Sequence, residues 1–323
     1  MHARCLCCYQ PLSAGESAFH ARCSKKMFGS VTPPILPYDE TELEALALRV
    51  VRNHVTIPGL QPKLSLHLDR PEKRLEPQRF TIVGRWGKYI LKPPSPSYPQ
   101  LPEIEDLTMH MAETVKIRTV PHCLIRMRSG ALAYITRRID RPKNGKVHME
   151  DMCQLTERLT EDKYHGSYEQ IAKAIRRYSL NPGLDVIDFY EMVAFSFLTG
   201  NSDMHLKNFS LLDVGGMGGK GYSLAPAYDM LATELVNPAD TEELALTLNG
   251  KKSQLRLQDF QKAWSTSQVD TKVQERMLKK FQNAMPAWEQ LIANSFLGQG
   301  MKAAYRELIH AKFSQLGLWR VPA

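Results

Sequence analysis

Between residues 200 and 210 the chain reads Gly200-Asn201-Ser202-Asp203-Met204-His205-Leu206-Lys207-Asn208-Phe209-Ser210, gathering an acid, an imidazole, an ammonium and a carboxamide in one short stretch. An aspartate can accept the proton of an attacking hydroxyl, and an asparagine oxygen is a hard ligand for a divalent cation. A second acid follows in Ala225-Pro226-Ala227-Tyr228-Asp229-Met230-Leu231, after the strand-like run from Gly221 to Leu224. Asp229 is thereby expected to return to the same place with a second hard oxygen. Acid, carboxamide and acid in this order are parts for phosphoryl transfer to a hydroxyl, a reaction that needs positioning and charge neutralisation more than covalent chemistry. Asp203 and Asn208 satisfying the backbone of a helix-ending turn fit the D-x-x-x-x-N spacing equally well. Asp229 is what favours the chemical reading.

These residues need a rigid base. The segment from Asp185 to Leu198 carries Val186, Ile187, Phe189, Tyr190, Met192, Val193, Phe195, Phe197 and Leu198 around most of a helical surface, which predicts a buried helix ended by Gly200 and Asn201. Upstream, Thr41 to Asn53 has amphipathic helical spacing, and Leu64-Ser65-Leu66-His67-Leu68 alternates as a strand. Between them lies His54-Val55-Thr56-Ile57-Pro58-Gly59-Leu60-Gln61-Pro62-Lys63, whose glycine would let backbone N–H groups approach an anion; a plain hairpin is the other reading. Lys88 to Lys92 reads as a strand that Pro93 and Pro94 must end, leaving Lys92 at its tip. The helix predicted from Glu103 to Thr114 puts Glu105 in its first turn, within reach of Lys92. Arg126 to Arg138 predicts two strands around Ser129-Gly130, and the chain then turns helical: from Glu150-Asp151, over Tyr168 to Tyr178, and near Gln258 to Trp264, Val273 to Leu291 and Met301 to Leu316, with an extended stretch from Glu243 to Leu248.

Composition sets broad limits. The 323 residues are 43% hydrophobic and 24% charged, as in an ordinary globular protein, with a net charge of +8 and a pI near 9.1 that suit a polyanionic partner or simply a solvated basic surface. No apolar run predicts a membrane span and the first residues do not read as a secretory signal, so a cytoplasmic protein with reduced cysteines is expected. Four of the six cysteines fall in the first 23 residues. Cys5-x-x-Cys8 and His20-x-x-Cys23 have the ligand types and spacing of a small structural zinc site; free thiols are the alternative.

Taken together, V-T-I-P-G-L-Q-P-K, Y-I-L-K-P, R-R-I-D-R, E-D-M-C-Q, S-D-M-H-L-K-N-F-S and P-A-Y-D-M resemble, in order, the motifs of the HipA-like serine/threonine kinases, toxins of bacterial toxin–antitoxin systems. The resemblance runs from about Val55 to the C-terminal helices. It implies an α+β, bilobal, protein-kinase-like fold, with a Cys-rich segment and linker over 1–37, a β-rich lobe over 38–140 and a helical lobe over 141–323, the cleft falling near residues 136–142. It implies ATP and magnesium as cofactors, with Asp203 as catalytic base, Asn208 and Asp229 on magnesium, and Lys92 on the ATP phosphates with Glu105 as its partner. Pro58, Gly59, Leu60, Gln61, Pro62 and Lys63 would cover the phosphates, the backbone of Arg137, Arg138 and Ile139 would hold the adenine, and His205, Lys207 and Tyr228 would complete the nucleotide site. Thr56 stands where the family has its autophosphorylated hydroxyl, more often a serine, and Met204 where it often has glycine.

The chain also resembles the short HipT-type toxin. That form implies a small separate protein supplying an N-terminal subdomain, a DNA-binding antitoxin, and an aminoacyl-tRNA synthetase as substrate. A nucleotide-binding module without transfer activity is the nearest competitor, although Lys92, Asp203, Asn208 and Asp229 are all present. A basic nucleic-acid-binding protein with a zinc knuckle is a third reading, and it lacks a basic patch interleaved with aromatics.

Overall fold

The computed structural model describes residues 3–43, 45–46, 63–69, 76–83, 86–142, 145–215 and 221–318. Thr56, Pro58, Gly59, Leu60, Gln61 and Pro62, together with the second half of the helix expected up to Asn53, lie outside the described residues. The chain forms two compact units. One comprises Met1–Asp106, Val120–Asn144 and Asn294–Phe296; the other comprises Leu107–Thr119, Gly145–Ala293 and Leu297–Ala323.

In the first unit, β1 (Leu64–Asp69), β2 (Arg79–Ile82), β3 (Tyr89–Lys92), β4 (His122–Arg126) and β5 (Leu132–Arg137) make an antiparallel sheet in the order β2-β1-β3-β5-β4. Its register follows the sequence alternation: Leu64 and Leu66 are buried while His67 is exposed. Strand β4 begins earlier than the pattern from Arg126 suggested. The Met127 N–H closes on the Ala131 carbonyl (2.9 Å) and Gly130 takes a φ of 93°, so residues 127–131 are turn and the apolar run His122–Ile125 is strand. Ahead of the sheet stands α1 (Ala21–Phe28). Phe28 packs edge-on against Phe19 and Phe80, at 5.5 and 5.9 Å between ring centroids.

Helix α2 (Leu101–Thr114) starts two residues before the predicted Glu103; its residues up to Asp106 belong to the first unit and those from Leu107 to the second. The second unit contains β6 (Met149–Asp151), β7 (Ser210–Asp213) and β8 (Tyr222–Leu224) as a small antiparallel sheet, so strands are not confined to the early part of the chain. Glu150 and Asp151, expected to open a helix, lie in β6, and Asp151 is the N-cap of the short α3 (Met152–Leu155) through a capping box with Gln154. Then come α4 (Tyr168–Tyr178) and α5 (Pro182–Leu198), followed by α6 (Leu257–Thr266), α7 (Thr271–Asn294) and α8 (Gln299–Gln315). The stretch Glu243 to Leu248, expected to be extended, makes bends and two isolated bridges, Thr247 to Ser167 and Leu248 to Lys251, because Glu243 and Leu244 turn their N–H groups onto the Lys252 carbonyl.

Helix α5 forms for the reason its sequence announced. Pro182 occupies its first turn, and every residue from Glu191 to Leu198 is buried. Phe195 meets Trp288 of α7 edge-on at 5.5 Å, and Trp288 meets Phe313 of α8 at 5.7 Å. The start of α5 is tied to β8 by buried Asp185, which accepts hydrogen bonds from Ser179 Oγ (2.6 Å), Ser223 Oγ (3.0 Å) and the Leu224 N–H (2.8 Å). Among the described residues no helix is long and apolar enough to cross a membrane. Asp185→Ala leaves the Leu224 N–H without its acceptor and is expected to destabilise the chain by about 2–4 kcal/mol, read as a lowered urea midpoint at unchanged slope.

Candidate active site

The loop that carries Asp203 leaves α5 through a left-handed residue. Gly200 has a φ of 70°, its N–H reaches the Phe197 carbonyl (3.2 Å) and the Asn201 N–H reaches the Ser196 carbonyl (2.8 Å). A side chain there would also meet Leu308 Cδ2 at 2.6 Å. Asn201 Oδ1 then accepts the Asp203 N–H (3.1 Å), a local Asx turn that aims the aspartate. Ser202 is anchored from its other side, its N–H donating to Thr233 Oγ1 (2.8 Å) and its hydroxyl to Asp240 Oδ2 (3.2 Å). Buried Met204 adds a main-chain acceptor for the Tyr168 hydroxyl (3.1 Å).

Within this frame Asp203 and Asn208 come together. Asn208 Nδ2 donates to the Asp203 main-chain oxygen (2.9 Å), so the amide oxygen is the atom Asn208 has to offer a ligand. Asp203 Oδ1 receives a hydrogen bond from the Tyr164 hydroxyl (2.6 Å), and the Tyr164 ring stands edge-on to His205 at 4.9 Å. Lys207 Nζ is paired with Asp151 Oδ2 at 2.6 Å. Tyr228 bridges to the same loop, its hydroxyl within 2.5 Å of Ser210 Oγ and 3.1 Å of the Lys207 carbonyl. Asp229 is therefore held one residue from a fixed contact with the segment that contains Asn208. Its backbone is left-handed, at a φ of 56°, a conformation that aspartate adopts less reluctantly than most residues and that is kept only where surroundings enforce it.

In the first unit the structure joins Lys92 to Glu105 at 2.5 Å, with side chains 6% and 0% exposed. Lys92 Nζ also lies 5.5 Å above the Tyr134 ring, its register partner on β5. Arg137 ends β5 and gives its N–H to the Pro121 carbonyl, while the Arg138 N–H goes to the Lys88 carbonyl, both at 2.8 Å; Ile139 follows in a half-buried turn. Lys63, exposed, directly precedes β1. Near the N-terminus Cys5, Cys8, His20 and Cys23 are gathered into one cluster.

Tyr164 was not singled out from the sequence, nor were Asp151, Thr233 and Asp240. Tyr164 sits in the polar run Glu161-Asp162-Lys163-Tyr164-His165, with no periodicity to flag it, and a hydrogen bond from the Leu206 N–H to the Lys163 carbonyl (3.1 Å) joins this run to the loop that carries Asp203.

A sequence profile described as HipA-like C-terminal domain matches residues 55–288. The chain belongs to this family. HipA-like relatives include a Sinorhizobium fredii protein named "Putative kinase Y4mE", 28% identical over 66% of this chain and 50% of the relative. A Haemophilus influenzae protein named "Putative kinase" is 30% identical over 62% of this chain and 58% of the relative. The chain thus spans little more than half the length of these curated relatives. Among solved structures it resembles the HipA, HipB and operator DNA complex of Shewanella oneidensis MR-1, at 18% identity and a TM-score of 0.65 over 81% of this chain and 65% of that one. It also resembles the Helicobacter pylori proinflammatory kinase CtkA, at 15% identity and a TM-score of 0.55 over 78% of this chain and 93% of that one. The α+β fold, with an antiparallel sheet and a helical part, is similar to that of the HipA and CtkA structures.

Partial burial of its ring, followed by the hydrogen bond and charge of Asp203, holds the Tyr164 phenol well above its ordinary value of 10.0. The stability this represents is present below about pH 10 and is lost as pH rises through the folded value. Asp203→Asn removes the opposing charge and is expected to bring the Tyr164 titration part of the way back toward 10.0, measured as the tyrosinate absorbance that disappears in Tyr164→Phe.

Proposed function

We propose that the chain is an ATP- and magnesium-dependent serine/threonine protein kinase, the toxin of a bacterial toxin–antitoxin pair, that phosphorylates an aminoacyl-tRNA synthetase and limits itself by autophosphorylation at Thr56. The observation that carries this reading is the hydrogen bond by which Asp203 orients Asn208, with Tyr228 holding Asp229 to the same loop. Asp203 accepts the proton of the substrate hydroxyl, and Tyr164 keeps its carboxylate aimed. The donor set fits magnesium: an amide oxygen from Asn208 and a carboxylate from Asp229 are hard, and few enough to leave room for phosphate oxygens and water. Magnesium, when bound with ATP, supplies neutralisation of the phosphate charge.

Lys92 is assigned to the ATP phosphates. Its ion pair with buried Glu105 fixes where the amine stands, and a lysine held this way is a pre-positioned point charge. Pro58 to Lys63 are assigned as the phosphate-covering loop. Because the N–H groups of Arg137 and Arg138 are already engaged, the adenine edge is assigned to the carbonyls of this stretch and to the backbone of Ile139. His205, Lys207 and Tyr228 each have an intramolecular partner and are assigned to positioning the loop. A phosphate on Thr56 would place close to two negative charges beside the nucleotide phosphates and switch the kinase off.

The kinase reading draws support from the names of the curated relatives, and the antitoxin from the HipB and operator DNA present with the Shewanella protein. A DNA-binding antitoxin is accordingly assigned as one partner, and the HipT-type resemblance adds the small subdomain-supplying protein as another. The basic charge of +8 suits an acidic or nucleic-acid-bound partner.

The test is transfer from labelled ATP in a bacterial extract. Wild-type chain is expected to label a discrete extract protein and itself, and Asp203→Asn to lower the rate by about 10²–10⁴-fold while still binding ATP. Undiminished labelling by the variant would remove Asp203 from its role, and labelling of small molecules alone would exclude a protein kinase. Thr56→Ala is expected to lose self-labelling and to keep labelling the extract protein for longer; a self-labelled Thr56→Ala chain would move the autophosphorylation site elsewhere.

A further inference from the structure

The N-terminal segment holds a cluster that phosphoryl transfer does not use. Cys5 Sγ, Cys8 Sγ, His20 and Cys23 Sγ offer ligand atoms that all lie within 4.8 Å of one another. Cys8 Sγ is 3.3 Å and Cys23 Sγ 3.9 Å from His20 Nδ1. Tetrahedral zinc with three sulfurs and one nitrogen requires ligand-to-ligand edges of roughly 3.5–3.8 Å, so small adjustments would close the cage. All six cysteines are free, and none of these sulfurs is consumed in a disulfide.

The backbone is arranged to present these atoms. Residues 4–11 form a tight loop in which Arg4 pairs with Pro11, the Cys5 N–H donates to the Gln10 carbonyl (2.9 Å) and the Tyr9 N–H to the Cys5 carbonyl (3.0 Å). Tyr9 takes a φ of 60°, which turns the chain so that Cys5 and Cys8 face the same point. His20 stands at the N-cap of α1 and Cys23 in its first turn, so one helix start presents both side chains. The His20 N–H points to Cys5 Sγ at 3.4 Å. His20 Nε2 lies 3.0 Å from the Pro11 carbonyl, an acceptor that fixes the proton on Nε2 and leaves the Nδ1 lone pair directed at the sulfurs. An orienting acceptor on the outer nitrogen of a histidine is the usual support of a metal ligand.

We propose that Cys5, Cys8, His20 and Cys23 bind one structural zinc ion, which staples the N-terminal loop to α1. The staple has a reason. The segment buries Leu6, Tyr9, Phe19, Met27 and Phe28; it meets the sheet through Phe28 on Phe80 and Tyr89, the Leu124 N–H on the Leu6 carbonyl (3.0 Å) and the Tyr89 hydroxyl on the Met27 carbonyl (3.2 Å), and meets α2 through the Tyr9 hydroxyl on Asp106 Oδ2 (2.7 Å). A closed four-ligand site adds folding free energy to those contacts and ties the loop that carries Cys5 and Cys8 to the start of α1. Cys7 lies between two of the ligands in sequence and is not one of them.

The test is a metal assay of the full chain, and its outcome is independent of whether the chain transfers phosphate. Purified wild-type chain and Cys7→Ser are expected to carry close to one zinc each by mass-spectrometric metal analysis, and Cys8→Ser and Cys23→Ser to lose nearly all of it. Because those variants could also unfold, wild-type chain stripped and reloaded with cobalt(II) provides the second reading, with sulfur-to-cobalt charge-transfer bands and the ligand-field bands of a tetrahedral centre expected. Folded wild-type chain with no bound metal, iron in place of zinc, full zinc retention in Cys8→Ser, or cobalt spectra without sulfur charge transfer would each overturn the assignment.

Discussion

A loop carrying an acid, an imidazole, an ammonium and a carboxamide holds one conformation only if something apolar holds it, and here that is the end of α5. Every residue from Glu191 to Gly200 is buried, and the helix is locked by the edge-on packing of Phe195, Trp288 and Phe313. Thr199 Oγ1 bonds back to the Phe195 carbonyl and Gly200 turns left-handed into space that a side chain would share with Leu308. The polar loop therefore begins from a point with no freedom. Its own hydrogen bonds, from the Asp203 N–H to Asn201 Oδ1 and from Asn208 back to the Asp203 carbonyl, propagate that rigidity to the atoms proposed to do chemistry.

The first unit solves a related problem with charge. Glu105 and Asp106 are adjacent acids, both with 0% exposure, and they are satisfied separately: Glu105 by Lys92, and Asp106 by His122 Nδ1 and the Tyr9 hydroxyl, each at 2.7 Å. A buried ion pair contributes little net stability, but removing one member leaves the other stranded. Such a pair confers a defined position on an ammonium group. Through Tyr9 the same network reaches the cysteine loop, so the knuckle and the strand that ends in Lys92 rest on neighbouring residues of one helix.

Much of this was legible beforehand. The wrap-around apolar pattern announced α5 and its burial, Gly200 announced the exit, and alternation announced β1 and β3. Asp203, Asn208 and Asp229 stood out because a local motif carries them. Misplaced elements share one cause. The pattern extends the first strand over Arg126 to Arg128 and opens a helix at Glu150-Asp151 because neighbouring residues have similar propensities, while the true boundaries are set by one hydrogen bond each, Met127 to Ala131 and Gln154 to Asp151.

The sequence by itself determined the residues that could do chemistry, the helix that launches their loop and the spacing of the four metal-type ligands, because those depend on local periodicity and on side-chain type. Only the tertiary structure decided that Tyr164 would sit on Asp203, that Lys207 would be drawn to Asp151, that Tyr228 would tether Asp229, and that Cys7 would be left out of the cluster. Each of those outcomes joins residues whose neighbours in sequence carry no trace of the contact. They are products of packing, in which a core buried elsewhere chooses which polar groups meet.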